Sequence, residues 1–75
     1  MKRLSELKIG DEAVIIQMPE NNRRLLDIGL IKGTTVKCVL KSPLGNPAAY
    51  KIRGAVIAIR DEDAKDIKVE VKSHG

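Results

Sequence analysis

The stretch AAYKIRGAVIAIR, residues 48–60, is the part of the chain that decides the fold class. Its two halves are rich in β-branched and small apolar residues, and they meet at Gly54. A glycine at this point supplies the positive φ that a tight hairpin or a bulge requires. We therefore predict two antiparallel strands, over residues 48–53 and 55–60, joined at Gly54.

Two further strands are predicted before this hairpin. Residues 13–18 form a run rich in β-branched side chains, and Pro19 stops it. Residues 34–41 alternate apolar and polar side chains, which is the period of a half-buried strand. The apolar positions of this strand are Val36, Cys38 and Leu40. The alternation predicts that these three face the core, with Cys38 as a buried structural thiol.

A fifth strand follows the hairpin. Acidic residues open the segment 61–66 and favour one helical turn there, because they lie at its positive end. Residues 67–72 then alternate cleanly, and residues 73–75 are expected to form a loose tail. This order predicts an all-β domain with a short helix, a five-stranded SH3-like small barrel. The pattern by itself leaves an OB-like barrel open.

The segment between the first two strands carries a short predicted helix, over residues 23–29. Gly29 suits the left-handed position just past a helix end, and Leu30 can then fold back onto the last turn. The positions that we interpret as the structural motif of this segment are Leu25, Asp27, Gly29, Leu30 and Gly33.

The hexapeptide SPLGNP, residues 42–47, predicts a shaped loop because no regular element tolerates two prolines, a glycine and an asparagine so close together. The structural residues of the loop are Pro43, Gly45 and Pro47. The two prolines fix φ and stiffen it. Leu44 would then lie at the loop tip, either as an apolar contact for a partner or as a cap on the barrel end.

Composition restricts the remaining possibilities. The chain has 75 residues, which we treat as a single domain over residues 1–75, and its formal net charge is +4. It contains one cysteine, so no internal disulfide can form, and a reducing compartment such as the cytosol is expected. No apolar run approaches the roughly 20 residues of a membrane-spanning helix.

The residues also resemble a known family. Three parts of the chain match the FeoA pattern in order and spacing. They are the segment Leu25 to Gly33, the loop at residues 42–47, and a later set formed by Arg53, Gly54, Ile59, Arg60, Ala64 and Ile67. The resemblance implies an SH3-like fold and a role in ferrous iron transport beside FeoB, a membrane protein with a cytosolic GTPase domain. The family is also associated with transition metals. A related domain occurs in iron-dependent repressors, which is a further possible relationship.

If the resemblance holds, the chain binds its partner through exposed side chains of the two loops. The candidate partner-binding residues are Arg23, Arg24, Lys32, Leu44 and Asn46. A solvated basic surface is the alternative interpretation of the three cations. Homo-oligomerisation is also open, because a core of this size gives only about 3–5 kcal/mol of net stability.

Other functions find little support in the sequence. Cys38 and His74 are the only soft or borderline metal ligands, so we predict no metal site, no cofactor and no catalytic set. Residues 29–35, GLIKGTT, lack the spacing of a phosphate-binding loop. A small basic barrel that binds nucleic acid or another protein remains the alternative, although Tyr50 is the single aromatic residue available for stacking.

Overall fold

The computed structural model describes residues 2–20, 22–44 and 46–74. In these segments the chain forms six strands: β1 (Lys2–Arg3), β2 (Glu12–Gln17), β3 (Thr35–Lys41), β4 (Ala48–Ile52), β5 (Ala55–Ile59) and β6 (Lys68–Ser73). A 3-10 turn follows β1 at Leu4–Glu6, and two short helices complete the fold, α1 (Arg23–Asp27) and α2 (Asp61–Ala64).

The strands form one antiparallel sheet in the order β1-β6-β2-β3-β4-β5. The five predicted strands are present in the predicted order, and the two-residue β1 adds a sixth at one end. The all-β class with short helices is therefore confirmed. Most boundaries differ from the predicted ones by one residue, whereas α1 ends two residues early, at Asp27.

The end of the chain is more ordered than we expected. Strand β6 runs through Ser73, which lies opposite Glu12 of β2. The Nδ1 atom of His74 then lies 3.2 Å from Oδ1 of Asp11. The prediction of a loose tail from residue 73 is wrong for these two residues, because β2 offers Ser73 a pairing position and the turn before β2 offers His74 a carboxylate.

The core is almost entirely aliphatic. Leu4, Leu7, Ile15, Ile52 and Ile67 are among its fully buried members. The one aromatic residue, Tyr50, is also fully buried, and its hydroxyl donates a hydrogen bond of 3.3 Å to the backbone carbonyl of Leu4. The β-strand alternation correctly predicted that Val36 and Cys38 face this core.

Leu40 departs from that alternation. The pairing of β3 with β4 shifts register between Cys38 and Leu40, which is the signature of a β-bulge. The extra residue reverses the faces beyond it, so that Leu40 is 61% exposed and lies opposite Ala49 on the outer face of the sheet. The prediction that Leu40 faces the core is therefore wrong.

The β4–β5 hairpin explains why a glycine is needed at residue 54. Ile52 pairs with Ala55, which leaves a two-residue turn in which Arg53 has φ 51° and Gly54 has φ 84°. Positive φ at both central residues is the requirement of a type I′ turn, whose twist matches that of the flanking strands. The expected tight hairpin is present.

Candidate partner-binding surface

Helix α1 is held at both ends by local hydrogen bonds. At its start, the side-chain oxygen of Asn22 accepts a bond of 3.3 Å from the backbone N–H of Leu25. At its end, the N–H of Gly29 bonds to the carbonyl of Leu26 and the N–H of Leu30 to that of Leu25. This pair of bonds is a Schellman motif, which requires the positive φ of 88° at Gly29. The structural roles predicted for Gly29, Leu25 and Leu30 agree with these contacts.

Arg24 joins α1 to α2. Its Nη2 atom donates to both carboxylate oxygens of Asp63 at 3.1 Å, and Nδ2 of Asn22 donates to the same carboxylate at 3.1 Å. The Asp63 side chain is only 13% exposed. Arg24 therefore holds the helix pair together, whereas Arg23 is exposed and forms no salt bridge within the described residues.

The proline loop, residues 42–47, presents the side chain of Leu44 to solvent. Leu44 is 94% exposed, so it does not cap the barrel end, and that alternative is wrong. The loop is closed by a hydrogen bond from the N–H of Ser42 to the carbonyl of Pro47. Gly45, at the centre of the loop, lies outside the described residues. Pro43 precedes Leu44 at the exposed turn.

Asn46 has a structural contact of its own. Its side-chain oxygen accepts a hydrogen bond of 3.0 Å from the backbone N–H of Asp61, the first residue of α2. Asn46 thus contacts α2 at Asp61, and Arg24 contacts it at Asp63. Two of the predicted partner-binding residues are brought towards the same helix, and both are engaged within the chain.

Lys32 lies elsewhere on the molecule. It lines a shallow depression together with Ile31, Gly33 and Arg53, beside the tip of the β4–β5 hairpin. Gly33 has φ 93°, consistent with the backbone demand predicted for it. The five predicted contact residues consequently do not form one continuous depression: Lys32 extends the basic hairpin tip, and Arg24 faces α2.

A groove of about 370 Å³ separates α1 from β5. Its walls are apolar and its rim is charged. The apolar lining consists of Leu25, Ile28, Ile57, Ala58 and Ile59, and the charged rim of Arg24, Asp27, Arg60 and Asp63. Asp27 was predicted as a structural residue of the helix end, and its side chain is exposed to solvent at this rim. Our sequence reasoning missed the groove, although the uncharged run AVIAI of β5 was a usable signal.

Asp11 and His74 form a polar contact where β2 begins and β6 ends. The N–H of Lys8 donates to Oδ2 of Asp11 at 3.0 Å, and this backbone bond is the largest cause that lowers the pKa of Asp11. Burial opposes the shift, and the hydrogen bond and charge of His74 add to it. Sequence reasoning could not find this contact, because it joins residues 63 positions apart.

Potential metal ligands are scattered over the described residues. No group of three or more His, Cys, Asp or Glu side chains comes together in residues 2–20, 22–44 and 46–74. Cys38 is buried, and burial is the main cause that raises the pKa of its thiol and disfavours the thiolate that metals bind. No helix in these segments is long and apolar enough to cross a membrane.

Comparison with known proteins identifies the family. The model of the FeoA domain matches residues 2–71. This chain belongs to the FeoA family. The FeoA resemblance drawn from residues 25–33 and 42–47 is therefore confirmed.

One curated FeoA relative is part of a much longer protein. The Fe(2+) transport protein A/Fe(2+) transporter FeoB fusion protein of Porphyromonas gingivalis is 39% identical to this chain over 74 residues. The match covers 95% of this chain and 9% of the fusion protein. The chain thus spans less than a tenth of that relative, whose FeoA part is continuous with its transporter part.

Solved FeoA structures share the fold closely. A FeoA-like protein of Clostridium acetobutylicum is 34% identical with a TM-score of 0.87, and the match covers 99% of this chain and 92% of that one. FeoA of Stenotrophomonas maltophilia, described as an SH3 domain protein in complex with zinc, is 30% identical with a TM-score of 0.79, covering 93% and 91%. The SH3-like class is confirmed.

A manganese-dependent transcriptional repressor also contains this fold. Its TM-score is 0.86 at 15% identity, and the match covers 95% of this chain and 41% of the repressor. At this identity the likeness concerns the fold only. FeoA domains and the domain of this repressor therefore share an architecture.

Proposed function

We propose that this chain is a cytosolic accessory of ferrous iron uptake that binds the water-exposed, GTPase-bearing part of a FeoB-type transporter. The fusion of FeoA and FeoB in the Porphyromonas gingivalis relative carries the proposal. A covalent connection keeps two domains at a high effective concentration. A separate chain that does the same work needs a surface with enough affinity to replace that connection.

Two exposed residues support such a surface. Arg23 presents a positive charge on α1, and Leu44 presents an apolar side chain at the tip of the proline loop. Charges at a rim mainly accelerate encounter, and a buried apolar anchor mainly lengthens residence. The net charge of +4 favours an acidic surface on the transporter.

The chain acts by binding and not by catalysis in this proposal. The thiol of Cys38 is buried, and the imidazole of His74 contacts the Asp11 carboxylate. A nucleophile and a base within hydrogen-bond reach of each other are the usual requirement of covalent catalysis. No hydrogen bond joins these two side chains within the described residues, so they do not meet that requirement.

Binding of single-stranded nucleic acid is a weaker alternative. Basic barrels that bind single strands stack bases on exposed aromatic side chains. Tyr50, the one aromatic residue of the chain, is fully buried and bonded to Leu4. It cannot stack on a base without unfolding the core.

A titration against the transporter tests the proposal. The chain would be titrated by calorimetry into the cognate FeoB-type transporter reconstituted in nanodiscs, with and without a guanine nucleotide. We expect saturable binding of one chain per transporter. Absence of binding in every nucleotide state at 100-micromolar concentrations, of the order seen for transient encounters, would contradict the proposal.

A further inference from the structure

Strand β5 forms one end of the sheet. It pairs with β4, and in the described residues no strand follows it in the sheet order. The two-residue turn makes Ile52 and Ala55 a hydrogen-bonded pair, and the pattern then alternates along the hairpin. Val56 and Ala58 fall on the alternate positions, so their N–H and C=O groups point away from β4. These groups form a free edge.

Strand β5 itself carries none of the sequence features that usually protect an edge, and α1 borders it only across the groove lined by Ile57, Ala58 and Ile59. Exposed edge strands are normally interrupted by charged residues, proline or a bulge that prevent pairing with another chain. The sequence of β5, AVIAI, contains no charge and no proline, and its pairing with β4 is regular over all five residues. Val56 is 63% exposed, and Ala58 is exposed beside it. The strand is therefore a template for a further strand.

The two ends of β5 carry opposite charge. At the hairpin end, Arg53 and Lys51 are both exposed and basic. At the other end, Asp61 and Glu62 open α2 directly after the strand. Arg60 makes a surface ion pair with Glu62 at 3.7 Å, which leaves Asp61 as excess negative charge at this end. The free edge thus runs from a basic end to an acidic end.

We propose that β5 is a self-association surface, on which the β5 strand of a second copy pairs antiparallel about a two-fold axis near Ile57. In this register Val56 of each copy lies opposite Ala58 of the other, and their outward N–H and C=O groups bond reciprocally. The antiparallel direction brings Arg53 of one copy beside Asp61 and Glu62 of the second copy. The two-fold axis repeats the backbone hydrogen bonds and the charge pair, so that each occurs once on either side of the axis.

A second copy fits this edge because the edge requires a particular order of charges. A partner strand must be apolar over five residues, acidic next to Arg53 and basic next to Asp61. The chain's own β5, read antiparallel, has this order. The outer-face row Leu40, Ala49 and Ala58 also borders the edge, and it would become continuous with the same row of the second copy.

The dimer is expected to be weak. Two paired strands of five residues bury less than the roughly 1,200 Å² typical of stable complexes, which places the contact among transient interfaces. Self-association should therefore depend on concentration across the micromolar to millimolar range. The inference does not rest on transporter binding, and either can fail without the other.

Sedimentation equilibrium between about 10 micromolar and 1 millimolar measures this association. We expect the apparent mass to rise from 8.2 kDa towards twice that value. Ala58→Lys should abolish the rise, because it places a charge on the free edge. Thr35→Lys is the matched control, since it adds the same charge at an exposed position of the interior strand β3 and should leave the rise unchanged.

A charge exchange distinguishes two-fold strand pairing from other contacts. Arg53→Asp keeps a residue that tolerates the positive φ of the turn, and Asp61→Lys changes the acidic residue that the two-fold register places opposite Arg53. Each variant by itself should associate at least several-fold more weakly than the parent chain. An equimolar mixture should recover association, because each mixed dimer has opposite charges at both ends. A monomer at all concentrations, or a mixture as weak as its components, would overturn the proposal.

Discussion

Arg24 holds Asp63 through two hydrogen bonds of 3.1 Å and so joins helix α1 to helix α2 across 39 positions of sequence. The contact changes the interpretation of the two arginines of α1. Arg23 and Arg24 are neighbours in sequence and both are exposed, yet only Arg24 makes a salt bridge within the described residues. Their separate roles can be measured.

Arg24→Glu should destabilise the chain, because it places a carboxylate against Asp63 and removes a bidentate bond. We expect the free energy of unfolding to fall by about 1 kcal/mol, the upper part of the range for partly exposed ion pairs. Arg23→Glu, the matched control, should change it by less than about 0.5 kcal/mol. Chemical denaturation measures both. Equal effects of the two variants would show that the Arg24–Asp63 pair contributes nothing to stability.

Transporter binding should separate into a charge effect and an apolar effect. Arg23→Glu should slow association several-fold and weaken its salt dependence, and Leu44→Ala should mainly speed dissociation. Surface-immobilised transporter and stopped-flow mixing measure the two rates. Lys72→Glu, at an exposed position of β6 that lies beside the start of β2, is the control. A loss of binding confined to the control would place the contact surface on β6.

The β4–β5 hairpin should respond to substitution through backbone strain. Gly54→Val should lower the free energy of unfolding by about 1–2 kcal/mol or more, because a β-branched residue disfavours positive φ. No atom lies within 4 Å of the position that a Cβ would take, so a clash does not add to the loss. Thermal unfolding measures it. Arg53→Asn should act in the opposite direction and stabilise the turn by up to about 1 kcal/mol, since Asn-Gly suits a type I′ turn. An unchanged midpoint for Gly54→Val would contradict the turn assignment.

The carboxylate of Asp11 should make stability depend on pH in the acid range. Its pKa in the folded chain lies below the ordinary value of 3.8, chiefly because of the Lys8 N–H bond. A depressed folded pKa contributes stability that is fully present above the ordinary value and is lost as the pH falls through the folded value. The stability difference between the parent chain and Asp11→Asn should therefore be constant near neutral pH and shrink below pH 3.8. A difference that grows on acidification would reverse the assigned shift.

Metal binding by the separate chain should be weak. Cys38 is buried with a raised thiol pKa, and His74 contacts Asp11 without a third ligand among the described residues. Calorimetry with Fe²⁺ and Zn²⁺ under reducing conditions should give no stoichiometric binding at micromolar affinity. His74→Ala is the control for adventitious binding near the chain end. A tight site that survives this substitution would contradict the prediction.

Local features of the sequence determined the order of elements and the special backbone positions. Period-two alternation and β-branched runs reflect how a strand is buried on one face, and this pattern depends on neighbours in sequence. The positive φ angles at Gly29 and Gly54 could also be predicted from the sequence. A helix end and a tight hairpin each place this backbone requirement at a position that glycine suits. The family pattern rests on the same positions.

Tertiary structure alone decided which side chains remain available. The bulge that exposes Leu40 arises from the register of β3 against β4, and the contacts of Arg24 with Asp63 and of His74 with Asp11 join residues far apart in sequence. The free edge of β5 likewise depends on its place at the end of the sheet. Strand register and sheet order result from packing the whole chain, so no local periodicity encodes them directly.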